Sequence, residues 1–363
     1  MAVYEGPIAE RIDWVFELAR RHTEAYRSPE ARLARDLYRA RHPTAIAVLK
    51  CMDGRIDIPV VTQTPPGIIQ PFRNLGGMFD LGWPHLGEVL AHSVQREVAE
   101  GRRVLILITY HFSRGDRKRG CAGFNYDTEA AFTFTLRIRQ QAEAIFGARH
   151  VAVYPVICGF ETDEDALILH GQSGEVLDLS TLAAEGGDAI DGRLESLFPD
   201  MHRQMRHDLA RLLRGNLEWT CRMRGKARAL DIQHREWMIC LGRGFDFLHT
   251  PNLALIIGPY SPNLADPIAR AAGIIEANMQ EGRIPDDGFL LLASVPYEEI
   301  GPDRARAELK SRFLADFATE VIRERYPQLM ARMHRRTAVL SWHSRALELL
   351  EDAWCPMPEA GDG

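Results

Sequence analysis

One succession of short apolar runs and amphipathic stretches occurs twice along this chain, and few folds accommodate that. The first pass begins with charged residues 8–40. Ile12, Val15, Phe16, Leu18, Leu33 and Leu37 stand there at helical spacing, with a break at Ser28-Pro29. AIAVLKC (45–51) and GIIQPFRN (67–74) follow as strand-length runs, then an amphipathic stretch at 82–101. VLILITYHF (104–112) is the most strand-like run, and a helix is predicted over about 127–146, with Asp127 or Thr128 as its N-cap. Two more strands are expected at 150–160 and 165–171. The second pass repeats the order: EWMICLGRGFDF (236–247), NLALIIGPYSP (252–262), DPIARAAGIIEANMQEGR (266–283), FLLLASVPY (289–297) and LKSRFLADFATEVIRERYP (309–327). The leading helices have a counterpart near 198–225, and Cys51 is matched with Cys240.

Strand–helix alternation means an α/β fold with a mainly parallel sheet flanked by helices. The period is far too long for a solenoid. The expectation is one α/β domain duplicated and diverged, its two copies packing as a pseudo-dimer within one chain. The divisions read as N-terminal helices (1–44), a first domain (45–185), a second domain (186–350) and a loose tail (351–363), with AAEGGDAIDG (183–192) as the junction.

Composition excludes several classes. With 46% hydrophobic and 26% charged residues the chain is not disordered, and a net charge of −6 argues against a whole-chain device for nucleic acid or anionic membrane. The runs VLILI (104–108) and FLLLA (289–293) fall well short of the roughly 20 residues of a membrane span. The N-terminus has no secretory pattern, and the six cysteines form no CxxC pair, so reduced cytosolic thiols are expected.

Three of the residues at strand and loop ends carry metal chemistry. Cys51 and His111 each terminate an apolar strand, and in an open parallel sheet the carboxyl ends of the strands converge on the ligand crevice. Cys121 lies beyond the basic loop SRGDRKRG (113–120), before the next helix. Thiolate and imidazole suit tetrahedral zinc, and three protein ligands leave a fourth position open. Beside Cys51, Arg55 can hold the carboxylate of Asp53 ionised in two-point geometry.

Cys-x-Asp-x-Arg leaving a strand (51–55), Arg73-Asn74-x-Gly76-Gly77 closing the next, then strand–His111–loop–Cys121-Ala-Gly, is an order that resembles β-class carbonic anhydrases. Nine residues (112–120) separate His111 from Cys121, where most of that class has two. The long loop, YHFS (110–113), GCAG (120–123) and the decayed second copy resemble the carboxysomal shell branch of the class. The resemblance implies zinc on Cys51, His111 and Cys121, and reversible hydration of CO2 to bicarbonate, with Asp53 and Arg55 orienting the zinc-held hydroxide. It equally admits hydrolysis of carbonyl sulfide or carbon disulfide on the same zinc, and a non-catalytic zinc scaffold is the rival from another class. It implies a small-molecule substrate and a further homodimer, with no nucleic-acid or membrane partner. With about 44 residues before the first strand, residence in the cytoplasm is expected rather than contact with a carboxysome shell or Rubisco.

Other candidates read as structural. His85 and His92 with Glu88 are read as a solvated helix face, Gly242-Arg243-Gly244 as a decayed copy of Asp53-Gly54-Arg55, and Cys158, Cys221 and Cys355 as ordinary thiols. Arg114, Arg117, Lys118 and Arg119 are read as a solvated loop rather than an anion lure. In the second copy Pro296 falls where His111 would be and no cysteine occupies 298–310, so that copy is expected to hold no metal.

Overall fold

A computed structural model describes residues 2–147, 151–182, 187, 189–224, 233–260 and 262–351. Two helices open it, α1 (Ile8–Arg27) and α2 (Pro29–Arg41), divided at Ser28, whose hydroxyl accepts from Ala31 N and caps α2. The first sheet then forms from β1 (Ala45–Cys51), β2 (Ile69–Asn74), β3 (Val104–Phe112), β4 (Val153–Glu161), β5 (Ala166–His170) and β6 (Val176–Asp178), in the order β2-β1-β3-β4-β5-β6. β1 to β4 are parallel, and β5 and β6 run antiparallel as a hairpin extension. Between these strands lie α3 (Ile58–Val61), α4 (Pro84–Ala99) and α5 (Thr128–Phe146), the last capped by Asp127, as expected. After α6 (Ile190–Leu197) and α7 (Arg203–Met223) comes a second sheet of β7 (Met238–Gly242), β8 (Ala254–Ile257), β9 (Phe289–Tyr297), β10 (Met333–Ser341) and β11 (Leu347–Leu349). α8 (Ala265–Gln280) and α9 (Pro302–Arg325) flank it. Its order, β8-β7-β9-β10-β11, and its closing antiparallel hairpin repeat those of the first. The expected α/β architecture, two mainly parallel sheets flanked by helices, is therefore present.

The leading helices are exchanged. Ile8, Ile12, Val15 and Ala19 of α1 pack among β7, β8 and β9, not on the first sheet. Arg11, fully buried, joins Asp287 and donates to Gly288 O, with its guanidinium 5.0 Å over the Trp237 ring. In return Met205, Leu209, Leu212, Leu213 and Leu217 of α7, with Ile190 and Leu194 of α6, complete the core of the first sheet. The other face of that sheet is covered by Leu86, Leu90 and Val94 of α4 and Ile138 and Ala142 of α5. Each exchanged helix ends its reach on the other half's hairpin. Asn216 Nδ2 donates to Asp165 O (2.8 Å), and Thr23 Oγ1 donates to Arg345 O (2.8 Å). Residues 190–223 thus belong by packing to the first sheet, although they follow the junction at 185.

Those hairpins fix which positions correspond. Both turn through a left-handed residue, Asp165 at φ 58° and Arg345 at φ 57°. Glu161 pairs with Ala166, and Ser341 N meets Ala346 O, so Glu161 corresponds to Ser341. The pairs Phe112↔Glu161 and Tyr297↔Ser341 then place Pro296 at His111, as the sequence indicates. The pairs Leu49↔Ile108 and Leu241↔Ala293 correct the next step. Arg243 stands where Cys51 stands, and Cys240 stands at the place of Val48. Phe245 and Phe247 then occupy the places of Asp53 and Arg55. The two cysteines echo each other in sequence only because a strand thiol behaves as a small apolar side chain. Cys240 is fully buried, and burial pushes its thiol up to about 12.

α9 begins at Pro302, seven residues before the expected start, because the long loop between β3 and α5 has no counterpart after β9. The strands β10 and β11 were not read from the sequence. The first four residues of β10, Met333 to Arg336, are only half-buried, and two of them are arginines. Residues 352–363 of the expected tail, Cys355 among them, lie outside the described residues. No helix among the described residues is long and apolar enough to cross a membrane.

Interleaving of this kind predicts joint unfolding. Ile12→Ala in α1 and Leu209→Ala in α7 should each cost about 2–5 kcal/mol. Urea titrations followed by fluorescence and circular dichroism should stay a single transition in both variants. Two separated steps, only one of them moved by each variant, would contradict the exchanged cores.

Candidate metal centre

Cys51 is the last residue of β1 and His111 the penultimate residue of its neighbour β3, so the parallel register delivers both side chains to the carboxyl edge of the sheet. Cys121 reaches the same place from a tight turn that leads toward α5. The three donor atoms lie within 4.8 Å of one another, and all three residues are buried. Two other observations fit a metal. Both ring nitrogens of His111 are buried without a hydrogen-bond partner, a costly state that coordination relieves. Beside it, a hydrogen bond from Cys121 draws the Cys51 thiol well below its usual range, aided by His111, while that same bond and burial push Cys121 up. One thiolate is thus already favoured, and a cation would favour the second. The residues can hold a soft or borderline divalent metal.

The approach of Cys121 depends on glycines. Gly76 turns at φ 69° after β2, and its Cα faces Gly123, where an added Cβ would sit 2.4 Å from it. Only with no side chain at 123 can the 121–124 turn press against residues 76–77, where Cys121 Sγ lies 3.4 Å from Gly76 O. A cavity of about 10 Å³ adjoins the three donors, walled by Gly76, Gly77, Phe124 and Ala131, and it has room for about one water-sized sphere.

Asp53 and Arg55 form the expected pair just past β1. Arg55 Nε lies 3.1 Å from both carboxylate oxygens, its Nη2 is 2.5 Å from Oδ2, and its backbone N donates to Oδ1 at 2.9 Å. Burial alone would raise the Asp53 pKa, but the hydrogen bonds and charge of Arg55 outweigh it and hold the carboxyl well below the usual carboxylate range. The carboxylate is engaged by Arg55 and is not a member of the Cys51–His111–Cys121 cluster.

Arg73 and Asn74 join the halves behind Cys51. Buried Arg73 donates to Met52 O (2.7 Å) and, across the seam, to Phe245 O and Leu248 O (2.9 Å each). Asn74 Oδ1 accepts from Gly258 N at 3.1 Å. In the basic loop Arg114, Arg117 and Lys118 are exposed, as expected, and Arg119 is the exception. Arg119 is buried and lies 2.5 Å from Asp163, Arg114 joins Asp178, and Ser113 Oγ and Gly115 N also donate to Asp163. The loop is stapled to the β4–β5 turn through Asp163 and to the end of β6 through Asp178. His85 stacks on Tyr260 and, among the described residues, enters no metal cluster.

His234 escaped the sequence reading. It stands in the approach to β7, within electrostatic reach of Asp53 and Arg55, with Nδ1 2.8 Å from Glu236 Oε1. That hydrogen bond raises its pKa above the ordinary histidine value. No local motif marks it, because it lies some 180 residues beyond Asp53 in the chain.

No family model and no curated protein matches the chain. A solved structure described as "The structure of the beta-carbonic anhydrase CcaA" aligns over 43% of this chain and 95% of that one. The identity is 18% and the TM-score 0.31. A likeness of that degree says nothing of chemistry.

Gly123→Ala should displace the turn that carries Cys121. Metal bound per chain, measured by elemental analysis after dialysis against limiting metal, should fall at least tenfold, with the circular dichroism spectrum kept. Parental metal content would show that the glycine contact does not position Cys121.

Proposed function

We propose that the chain is a zinc enzyme that interconverts CO2 and bicarbonate. The observation that carries this reading is a buried Cys51–His111–Cys121 donor set, with a partnerless imidazole, beside a carboxylate kept ionised by an arginine. Cys51, His111 and Cys121 would hold the metal. When bound, zinc supplies a Lewis acid that lowers the pKa of water from about 15.7 to roughly 7. The chain's own residues do the rest. Asp53, deprotonated across the working range, is acceptor-only. It can therefore take a hydrogen bond from a water at the site and fix its orientation toward a carbon electrophile. Arg55 keeps that carboxylate in place and keeps it from turning to the metal. The apolar walls of Phe124 and Ala131 and the small adjoining cavity favour a small uncharged substrate. His234, half-exposed, held by Glu236 and within electrostatic reach of Asp53, would pass protons between the site and solvent. A scaffold role is disfavoured because a purely structural zinc site has four protein ligands, and the cluster offers three among the described residues.

Purified protein should hold about one zinc per chain, and Cys121→Ser should lose most of it. Asp53→Asn and Arg55→Ala should keep the zinc and lose about 100-fold or more in stopped-flow CO2 hydration. Because Asp53 titrates well below the usual range, the acid limb of the rate should keep its midpoint near pH 7 in Asp53→Asn, with a lower plateau. A zinc-loaded protein inactive on CO2 but active on carbonyl sulfide or carbon disulfide would transfer the assignment to those substrates. Inactivity on all three would return the scaffold reading.

A separate check concerns His234. His234→Ala should slow hydration only in weak buffer, and added imidazole should restore the rate. A loss that no buffer rescues would assign His234 to packing instead.

A further inference from the structure

A cleft of about 960 Å³ lies away from the metal centre. Its floor includes Ala45 to Ala47, at the opening end of β1, while Cys51 closes the same strand. At 3.3 Å per residue the two ends are about 20 Å apart. Both halves form its walls: α1, α2 and α4 from one side, and the 342–345 turn from the other.

The lining is basic on a chain whose net charge is −6. Some of its arginines are neutralised, Arg96 by Glu298 and Arg102 by Glu97, and Arg39 lies 3.9 Å from Asp36. Three others, Arg27, Arg32 and Arg35, pair with no carboxylate among the described residues, and Arg345 pairs only with Asp246, which is outside the lining. Arg35 is 7% exposed, joins no carboxylate among the described residues, and leaves Nη1 without a hydrogen bond. Its guanidinium is fixed 3.9 Å over the Tyr26 ring. Arg345, also 7% exposed, lies 3.6 Å over Trp342, and its Nε and Nη1 lack hydrogen bonds. Its ion pair with Asp246, at 3.5 Å, leaves those two nitrogens without a hydrogen bond. Arg27 and Arg32 stand exposed in the same lining, and among the described residues neither pairs with a carboxylate.

Buried guanidinium donors are costly to leave unpaired. Guanidiniums fixed on aromatic faces keep their donor forks in one orientation, which suits two-point recognition of an oxyanion. Three guanidiniums without a carboxylate partner among the described residues, in one cleft, exceed what a monovalent carboxylate or bicarbonate would balance. We propose that this cleft binds a small phosphate-bearing anion of more than one charge, at a site separate from the metal centre. Its ligand would bridge α1–α2 to the second half's hairpin turn, which Thr23 already ties to α1.

The full chain should be titrated with pyrophosphate, inorganic phosphate and acetate by calorimetry and thermal shift at fixed ionic strength. The expected result is one pyrophosphate per chain with a concentration-dependent rise in Tm, phosphate binding more weakly and acetate without effect. The double variant Arg27→Ala/Arg32→Ala, both positions exposed and tolerant, should bind pyrophosphate at least tenfold more weakly. Arg35→Lys should also weaken it, because the charge is kept but the fork is lost. Equal effects of acetate and pyrophosphate would overturn the site. Parental affinity in the double variant, or heat that saturates only at many anions per chain, would do the same.

Discussion

A single buried guanidinium holds the strand end on which the chemistry depends. Arg73 has no carboxylate partner in its hydrogen bonds. It donates to three backbone carbonyls, one directly after Cys51 and two in the turn that follows β7. Burial disfavours its charge, and the carbonyl dipoles are what it gains in return. Around it, Ile256 N meets the sulfur of Met52, and Gly54 packs so closely on the Thr250–Pro251 backbone that no side chain could stand there. The Cys51 edge of the first sheet is therefore positioned by the second half, whose own sheet carries no metal-ligand cluster among the described residues.

This division of labour explains why two like topologies serve one site. The second half supplies the partner surface for Arg73, the ring that supports Arg11, and His234 at the approach to Asp53. Its own version of the metal edge is filled with Arg243, Pro296 and Phe245, and its loop after β9 is cut to a few residues. Arg243 there stacks on Phe72 and Trp342, so a cation bound to aromatic faces occupies the register position of a thiolate.

The candidate site was legible in sequence where its determinants are local. Cys51 and His111 end runs whose apolar character fixes them as strands, and Asp53 and Arg55 are two residues apart on one turn. Strand and helix identities followed from periodicity, from the break at Ser28-Pro29 and from the Asp127 cap. What sequence could not supply was long-range or set by hydrogen bonds. Strand register moved the counterpart of Cys51 from Cys240 to Arg243, because register is fixed by hairpin geometry and not by which residue types look alike. The charged start of β10 hides a strand whose burial comes only from its neighbours. Arg119 read as solvated because its acidic partner, Asp163, lies in the β4–β5 turn more than forty residues on.

The exchange of leading helices also sets an order on biosynthesis. The ribosome releases α1 first, yet the surface that α1 covers is not complete until β9 has emerged, after nearly three hundred residues. The first sheet likewise waits for α7, although its own strands are finished by residue 178. For much of synthesis, then, the nascent chain carries an amphipathic helix and a half-covered sheet with no permanent partners. A chaperone that shields apolar surface would have its longest engagement with this protein over that interval.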